Sequence, residues 1–404
     1  MPGMNLLLKD FKIYKLKFSF VAILWFLLAV IGALLKIRLG YDKIANFLIY
    51  RNAFVHMIHQ SNLYHLYPSE KLDHYLYGPL FSIIISPFSL FPINIGAFLW
   101  CIVNAAILFL AIRQLPVGYK NQNIILLIST IEMMTCIQNM QINCIVVALI
   151  ILSFTFIHTK RDIWATLLIA IGFLIKLYGI VGIAFLLFSK KKVKFILSFL
   201  LWLVVLFLLP IFISSTSFIF HSYIDWYHTL IIKNNVNAHS GMQNISVMGM
   251  LSQIFIAQYL NLSIIFIAAL LYLFPLLRIH QLKNPIFQLS YVSFVLIGVV
   301  IFSSSAESPT YIIAVVGVGL WFVLQDEMHW PAIFLLIFTI IFTSLSSTDF
   351  FPKYVRLNFI QPYKLKALPC FLVWIILIFQ LIKKDFQNKG IAYEAKLRSA
   401  KNNY

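Results

Sequence analysis

Only 13 of the 404 residues are acidic, so each candidate proton acceptor can be placed individually. Five of them, Asp42, Glu70, Asp73, Asp225 and Glu307, fall in polar segments that interrupt long apolar runs. Carboxylates gathered at one face of a membrane are what general-base chemistry needs, a proton acceptor within reach of a reacting hydroxyl. Asp42, Asp73 and Glu307 are the leading candidates for that base. Glu307 stands out because Ser303-Ser304-Ser305-Ala306-Glu307-Ser308-Pro309-Thr310 is small, polar and wedged between two apolar runs. A carboxylate so close to hydrocarbon needs a partner. His56, His59, His65 and His74 lack the spacing of zinc ligands, so no metal site is predicted, and metal dependence stays open.

Lys176, in Phe173-Leu174-Ile175-Lys176-Leu177-Tyr178-Gly179, is the sharpest cationic signal. A lysine held at the membrane face between short helices suits the phosphate of a lipid, which a point charge pairs without bidentate geometry. A snorkelling lysine at a helix end would look the same. The amide run Gln138, Asn139, Gln141 and Asn143 suits the hydroxyls of a sugar, and equally suits hydrogen bonds between helices. The Gly-containing loop His239–Ser246 is suited to shaping a substrate mouth, whereas outer tyrosines and Trp226 are first of all interface anchors.

The elements that must position these residues are membrane helices. The chain is 61% hydrophobic and only 11% charged, against roughly a quarter charged in an ordinary soluble domain. Apolar runs near twenty residues recur along its length, predicting an all-α polytopic membrane protein with about 11–13 spanning helices. No stretch is polar enough to form a separate soluble domain. The net charge of +18 resides mostly at the ends of apolar runs, the positive-inside pattern, and a nucleic-acid partner is not expected.

Placing Lys9, Lys12, Lys15 and Lys17, the basic turn Lys190–Lys194, and Lys383 and Lys384 in the cytoplasm puts both termini there. The long segment 38–79 after the first helix is then extracytoplasmic, as is a second segment, 214–260. Residues 1–385 read as one transmembrane domain and 386–404 as a basic cytoplasmic tail. Trp164–Phe188 is expected to be a hairpin of two short helices turning near Lys176, which spares a lone lysine from hydrocarbon. Parity then asks that a short segment such as Leu80–Leu90 not cross fully. Cys101, Cys136, Cys144 and Cys370 lie in apolar segments and read as packing residues. No small-residue cleavage site follows the Lys-rich N-terminus, so the first helix reads as uncleaved.

Several of these segments, taken in order, resemble glycosyltransferase family 87 (the DUF2029 group), whose known members are mannosyltransferases of the GT-C membrane fold. The carriers are Asn46-Phe47-Leu48-Ile49-Tyr50, Leu63-Tyr64, Tyr77-Gly78-Pro79-Leu80 with Pro87, Gln141-Ile142-Asn143, and Ile175-Lys176 ahead of a basic turn. Tyr67-Pro68-Ser69-Glu70, Gln138–Asn143 and Ala306–Thr310 are similar to a Bacteroidetes-like branch.

The resemblance implies a GT-C-like enzyme of the bacterial cytoplasmic membrane. It would move a mannose-like hexose from a polyprenyl-phosphate sugar to a lipid or glycan acceptor at the outer face. Its partners would be donor, acceptor and membrane lipids, with no resident cofactor. Lys176 with Arg51 would hold the donor phosphate, and Asn46, Tyr50, Gln138, Gln141 and Asn143 would contact substrate. One departure matters. The family's aspartate after the first helix corresponds to Asn46, and an amide is not a useful base at neutral pH. Asp42, one helical turn upstream, Asp73 or Glu307 would substitute. The rival from another class is a lipid-linked glycan translocator without transferase activity; the 38–79 segment and the absence of internal repeats favour the enzyme.

Overall fold

The computed structural model describes residues 10–13, 16–238, 243–255, 261–327 and 329–386. The loop His239–Ser246 lies partly, and the basic tail from 387 onward wholly, outside the described residues. A short antiparallel ribbon, β1 (Asp10–Ile13) and β2 (Leu16–Ser19), pairs Phe11 with Phe18. Everything else regular among the described residues is helical.

The helices run in the order α1 (Phe20–Arg38), α2 (Ala45–Ile58), α3 (Pro79–Ser89), α4 (Ile93–Gln114) and α5 (Tyr119–Gln138). Then come α6 (Asn143–His158), α7 (Asp162–Ile175), a 3-10 helix (Leu177–Phe188), α8 (Lys192–Leu208) and α9 (Thr216–Ala238). After α10 (Val247–Phe255) and α11 (Asn261–Leu273) follow α12 (Pro285–Ile301), α13 (Tyr311–Val323), α14 (Trp330–Thr339) and α15 (Ala367–Lys383).

Four helical segments are long and apolar enough to cross a membrane: Phe20–Arg38, Ile93–Gln114, Lys192–Ile213 and Trp330–Ser347. Eight shorter apolar helices of 10–17 residues accompany them among the described residues. Apolar run length in the sequence therefore exceeds helix length in the fold, because prolines and 3-10 turns break the runs. The 11-residue α3 extends only roughly 16 Å, well short of a ~30 Å hydrocarbon core. The chain is a helical membrane protein.

Two compact units emerge, interleaved along the sequence. The first comprises Ala22–Ala111 and Met133–Val236. Its centre is α6, apolar all round and buried on nearly every face, as a helix without a solvent side must be. Trp25 of α1 donates Nε1–H to the Ala105 carbonyl of α4 at 3.0 Å, satisfying its polar handle inside the core. Segment 38–79 is not a plain loop. Residues 45–58 bury Phe47, Ile49, Tyr50, Ala53 and Met57 and fold as α2, and segment 214–260 likewise contains α9 and α10.

Trp164–Phe188 is two short helices. Lys176 has extended backbone (φ −151°, ψ 121°), so α7 ends at Ile175 and the 3-10 helix starts afresh at Leu177. The two can fold together because Gly172 faces Gly179: a side chain at either position would strike the other glycine's backbone.

The second unit comprises Met1–Val21, Ile112–Glu132 and Asn237–Tyr404. The buried pair α12 and α13 forms its core. Lys366, just before α15, reaches Glu132 at 2.7 Å, with side-chain exposures of 4% and 0%. All four cysteines are buried and none is in a disulfide.

Candidate active site

The first unit gathers residues from four separate stretches around Lys176. Lys176 Nζ donates to Asn143 Oδ1 at 2.8 Å, and it lies 4.9 Å from the Tyr178 ring centroid and 5.9 Å from that of Tyr77. Asn143 is 1% exposed, and its Nδ2 has no hydrogen-bond partner among the described residues. A buried donor left unmet costs about 1–3 kcal/mol, so it marks a place where a ligand oxygen would fit. Two residues earlier, Gln141 Oε1 accepts from Tyr77 OH at 3.0 Å. Since Tyr77 donates there, Tyr50 OH donates to Tyr77 at 2.9 Å. On α2, Asn46 stands one turn before Tyr50, and its Nδ2 donates to the Asn139 carbonyl at 2.8 Å.

Backbone contacts fix this arrangement. Gly78 N–H donates to the Ile175 carbonyl at 3.1 Å, and a side chain at Gly78 would collide with the Leu174 carbonyl. Only glycine lets the start of α3 lie against the end of α7. Pro79 follows at the first helical position, where its missing N–H is not needed.

A cavity of about 460 Å³ opens beside the cluster. One face of α9 lines it with Asp225, His228, Thr229, Ile232, Lys233 and Val236, spaced i, i+3, i+4, i+7, i+8 and i+11 as a single helical stripe. Opposite stand Asn62, Tyr64, His65, Asp73, His74 and Leu76. Asn62 Nδ2 donates to Asp225 Oδ2 at 2.8 Å. Lys233 Nζ lies 3.6 Å from Asp73 Oδ2, while the His74 N–H donates to Asp73 Oδ1 at 2.7 Å. Cluster and cavity share a wall. Tyr64 OH donates to the Tyr77 carbonyl at 2.9 Å, and Trp226 Nε1–H to the Leu76 carbonyl at 3.1 Å. The polar segment is pinned to α2 by His56 Nε2 against Glu70 Oε1 at 2.8 Å and by the Tyr67 ring 4.3 Å from the His56 ring. Burial holds the Tyr64 and Tyr75 phenols well above their ordinary range, Tyr64 further raised by neighbouring Tyr75.

The sequence-predicted residues thus divide. Lys176, Asn143, Gln141, Tyr50 and Asn46 sit in or beside the cluster, and Asp73 lines the cavity. Asp42 is exposed in a 3-10 turn (Tyr41–Lys43) and makes no hydrogen bond or ion pair among the described residues. The Gln138 side chain, at the end of α5, likewise makes no hydrogen bond among them. Arg51 is half-buried on α2, its enclosed Nε without a partner among the described residues. Glu307, in the second unit, opens the helical turn Ser308–Thr310, its N–H donating to Thr310 Oγ1 at 3.3 Å and its carbonyl accepting from the Thr310 N–H at 3.0 Å. Among the described residues no three His, Cys, Asp or Glu side chains converge as a metal site.

Sequence reasoning missed two features. The stripe on α9 was hidden because its partner residues lie some 150 positions earlier, although Asp225 and Lys233 stand two turns apart. The Glu132–Lys366 pair was signalled only by a carboxylate inside an apolar run.

A helical membrane protein whose polar residues surround a half-buried lysine and an adjoining cavity belongs among enzymes or carriers that handle polar ligands at a bilayer. Residues 75–304, more than half of the sequence, match glycosyltransferase family 87, and the chain belongs to that family. The match includes Tyr77, Gln141, Asn143, Lys176 and Asp225, and begins after Asp42, Asn46, Arg51 and Asp73. We found no curated protein that matches the chain.

Proposed function

We propose that this glycosyltransferase moves a mannose-like hexose from a polyprenyl-phosphate sugar to a hydroxyl of a lipid or glycan acceptor. The reaction takes place at the outer face of the bacterial cytoplasmic membrane, with both termini in the cytoplasm. The carrying observation is that Tyr77 and the Gln141–Asn143 pair, distant from each other and from Lys176 in sequence, meet around the Lys176 ammonium beside a cavity.

In this reading Lys176 pairs with the donor phosphate, and the unmet Asn143 Nδ2 donates to one of its oxygens. Arg51, with its unsatisfied Nε, is a second cation for the same group or its lipid neighbours. As the acceptor oxygen attacks the anomeric carbon, the bond from that carbon to the phosphate oxygen breaks. The electron pair leaves with polyprenyl monophosphate, whose second negative charge Lys176 offsets. The leaving group departs as a stable anion and asks for no general acid.

The test is transfer of radiolabelled sugar from synthetic polyprenyl-phosphate-mannose and -glucose to host lipid extract by the purified protein. Transfer with either donor, lost in Lys176→Ala, supports the reading. A folded protein that binds polyprenyl phosphate but transfers from neither donor would instead be a lipid-linked glycan translocator.

A further inference from the structure

Resting on the transferase reading, we infer that the cavity between α9 and the polar segment is the acceptor-sugar site, and that Asp225 is the base that deprotonates the acceptor hydroxyl. Its volume of about 460 Å³ lies within the range of small-ligand pockets and accommodates a saccharide. Its chemistry suits hydroxyls better than phosphate. Two carboxylates, Asp73 and Asp225, face the single ammonium of Lys233 on the walls, whereas the Lys176 cluster next door is cationic. Carboxylates and the Asn62 amide alternate with the apolar faces of Leu76, Ile232 and Val236, the mixture that a sugar's polar rim and apolar face require.

The two cavity carboxylates are not equivalent. Asp73 is 66% exposed, one oxygen taken by the His74 N–H and the other by Lys233. Asp225 is half-buried, and Asn62 fixes its Oδ2, while its Oδ1 makes no hydrogen bond among the described residues. A carboxylate oriented through one oxygen and open at the other is the geometry of a positioned general base. Adjacent Trp226 ties α9 to the wall shared with the Lys176 cluster, through Leu76 and against Gly78. The acceptor cavity therefore adjoins the donor-phosphate cluster at Leu76–Gly78, which brings the acceptor hydroxyl beside the donor. The acceptor O–H proton passes to Asp225 Oδ1, the oxygen forms the new bond to the anomeric carbon, and the phosphate departs with the old bond's electrons.

Full-length protein in nanodiscs tests this with two readouts. Saturation-transfer NMR with methyl α-mannopyranoside, methyl β-glucopyranoside and methyl β-galactopyranoside reports sugar binding without any donor. Binding of at least one glycoside is expected in wild type, Lys176→Ala and Asp225→Asn, and its loss in Ile232→Trp. Thr229→Trp fills the same cavity from the next turn and serves if Ile232→Trp misfolds. In the transfer assay, Asp225→Asn, which retains an acceptor for Asn62, is expected to lower kcat by about 100-fold or more, with polyprenyl-phosphate affinity unchanged. Asp73→Asn is expected to lose less than about 10-fold in kcat. Absence of glycoside binding by folded wild type, or wild-type turnover in Asp225→Asn, overturns the inference. Glycoside binding in a wild type that transfers nothing refutes the transferase reading, and with it the base, while the sugar pocket stands.

Discussion

Replacing Lys176 by Met removes the charge but keeps an unbranched side chain of similar length against Tyr77 and Tyr178. Hydrogen bonds to a charged group contribute about 1.5–3 kcal/mol, and the ammonium here is half-buried, where salt screens it less than at a surface. Lys176→Met should therefore weaken polyprenyl-phosphate binding by about 10- to 150-fold. It also leaves the Asn143 Oδ1 acceptor unpaired at a residue 1% exposed, so folding stability should fall by about 1–3 kcal/mol. The double variant Lys176→Met/Asn143→Leu removes both polar partners, which restores most of the stability but none of the affinity. Titration of short-chain polyprenyl phosphate by microscale thermophoresis, beside thermal melts of the same samples, separates the two effects. A Kd for Lys176→Met within twofold of wild type would refute the assignment of Lys176 to the phosphate.

Three further outcomes are expected. Breaking the Glu132–Lys366 pair with Lys366→Met strands a fully buried carboxylate and should destabilise by about 3–5 kcal/mol, whereas Lys366→Met/Glu132→Leu should recover most of it, as thermal melts will report. Asn46→Asp places a carboxylate where the resemblance implies one, but exchanges a donor to the Asn139 carbonyl for an acceptor facing an acceptor; a stability loss of about 0.5–1.5 kcal/mol without gain in turnover is expected. Because burial raises the Tyr64 and Tyr75 phenols well above the ordinary range of a tyrosine, unfolded chains release these protons at lower pH than folded ones. Their contribution to stability is complete below about pH 10 and declines as pH rises beyond it; melts from pH 8 to 11, with phenolate absorbance, will show whether the decline tracks unfolding.

The sequence carried the helical membrane class through its apolar runs and sparse charge, because hydrocarbon admits few polar groups and forces backbone hydrogen bonds into helices. It also singled out Lys176, Gln141 and Asn143, since polar residues inside or beside apolar runs are conspicuous, whereas Tyr77 entered only as a carrier of the family resemblance. The break at Lys176 was legible because a lone lysine inside a single span would be costly. Three-dimensional packing decided which of these residues meet. Glu307 was a candidate base in the sequence, and the fold sets it in the second unit at the start of the helical turn Ser308–Thr310, a placement its local polarity alone does not reveal. Asn46 read as a lost aspartate, yet its amide donates to Asn139, a partner 93 positions away that no local pattern reveals. Asp225 was one outer carboxylate among five until α9 laid its stripe against Asn62, 163 positions earlier. Periodicity and charge act over a few neighbouring residues and so can be read along the chain, whereas which carboxylate keeps an open oxygen depends on contacts made only when distant segments meet.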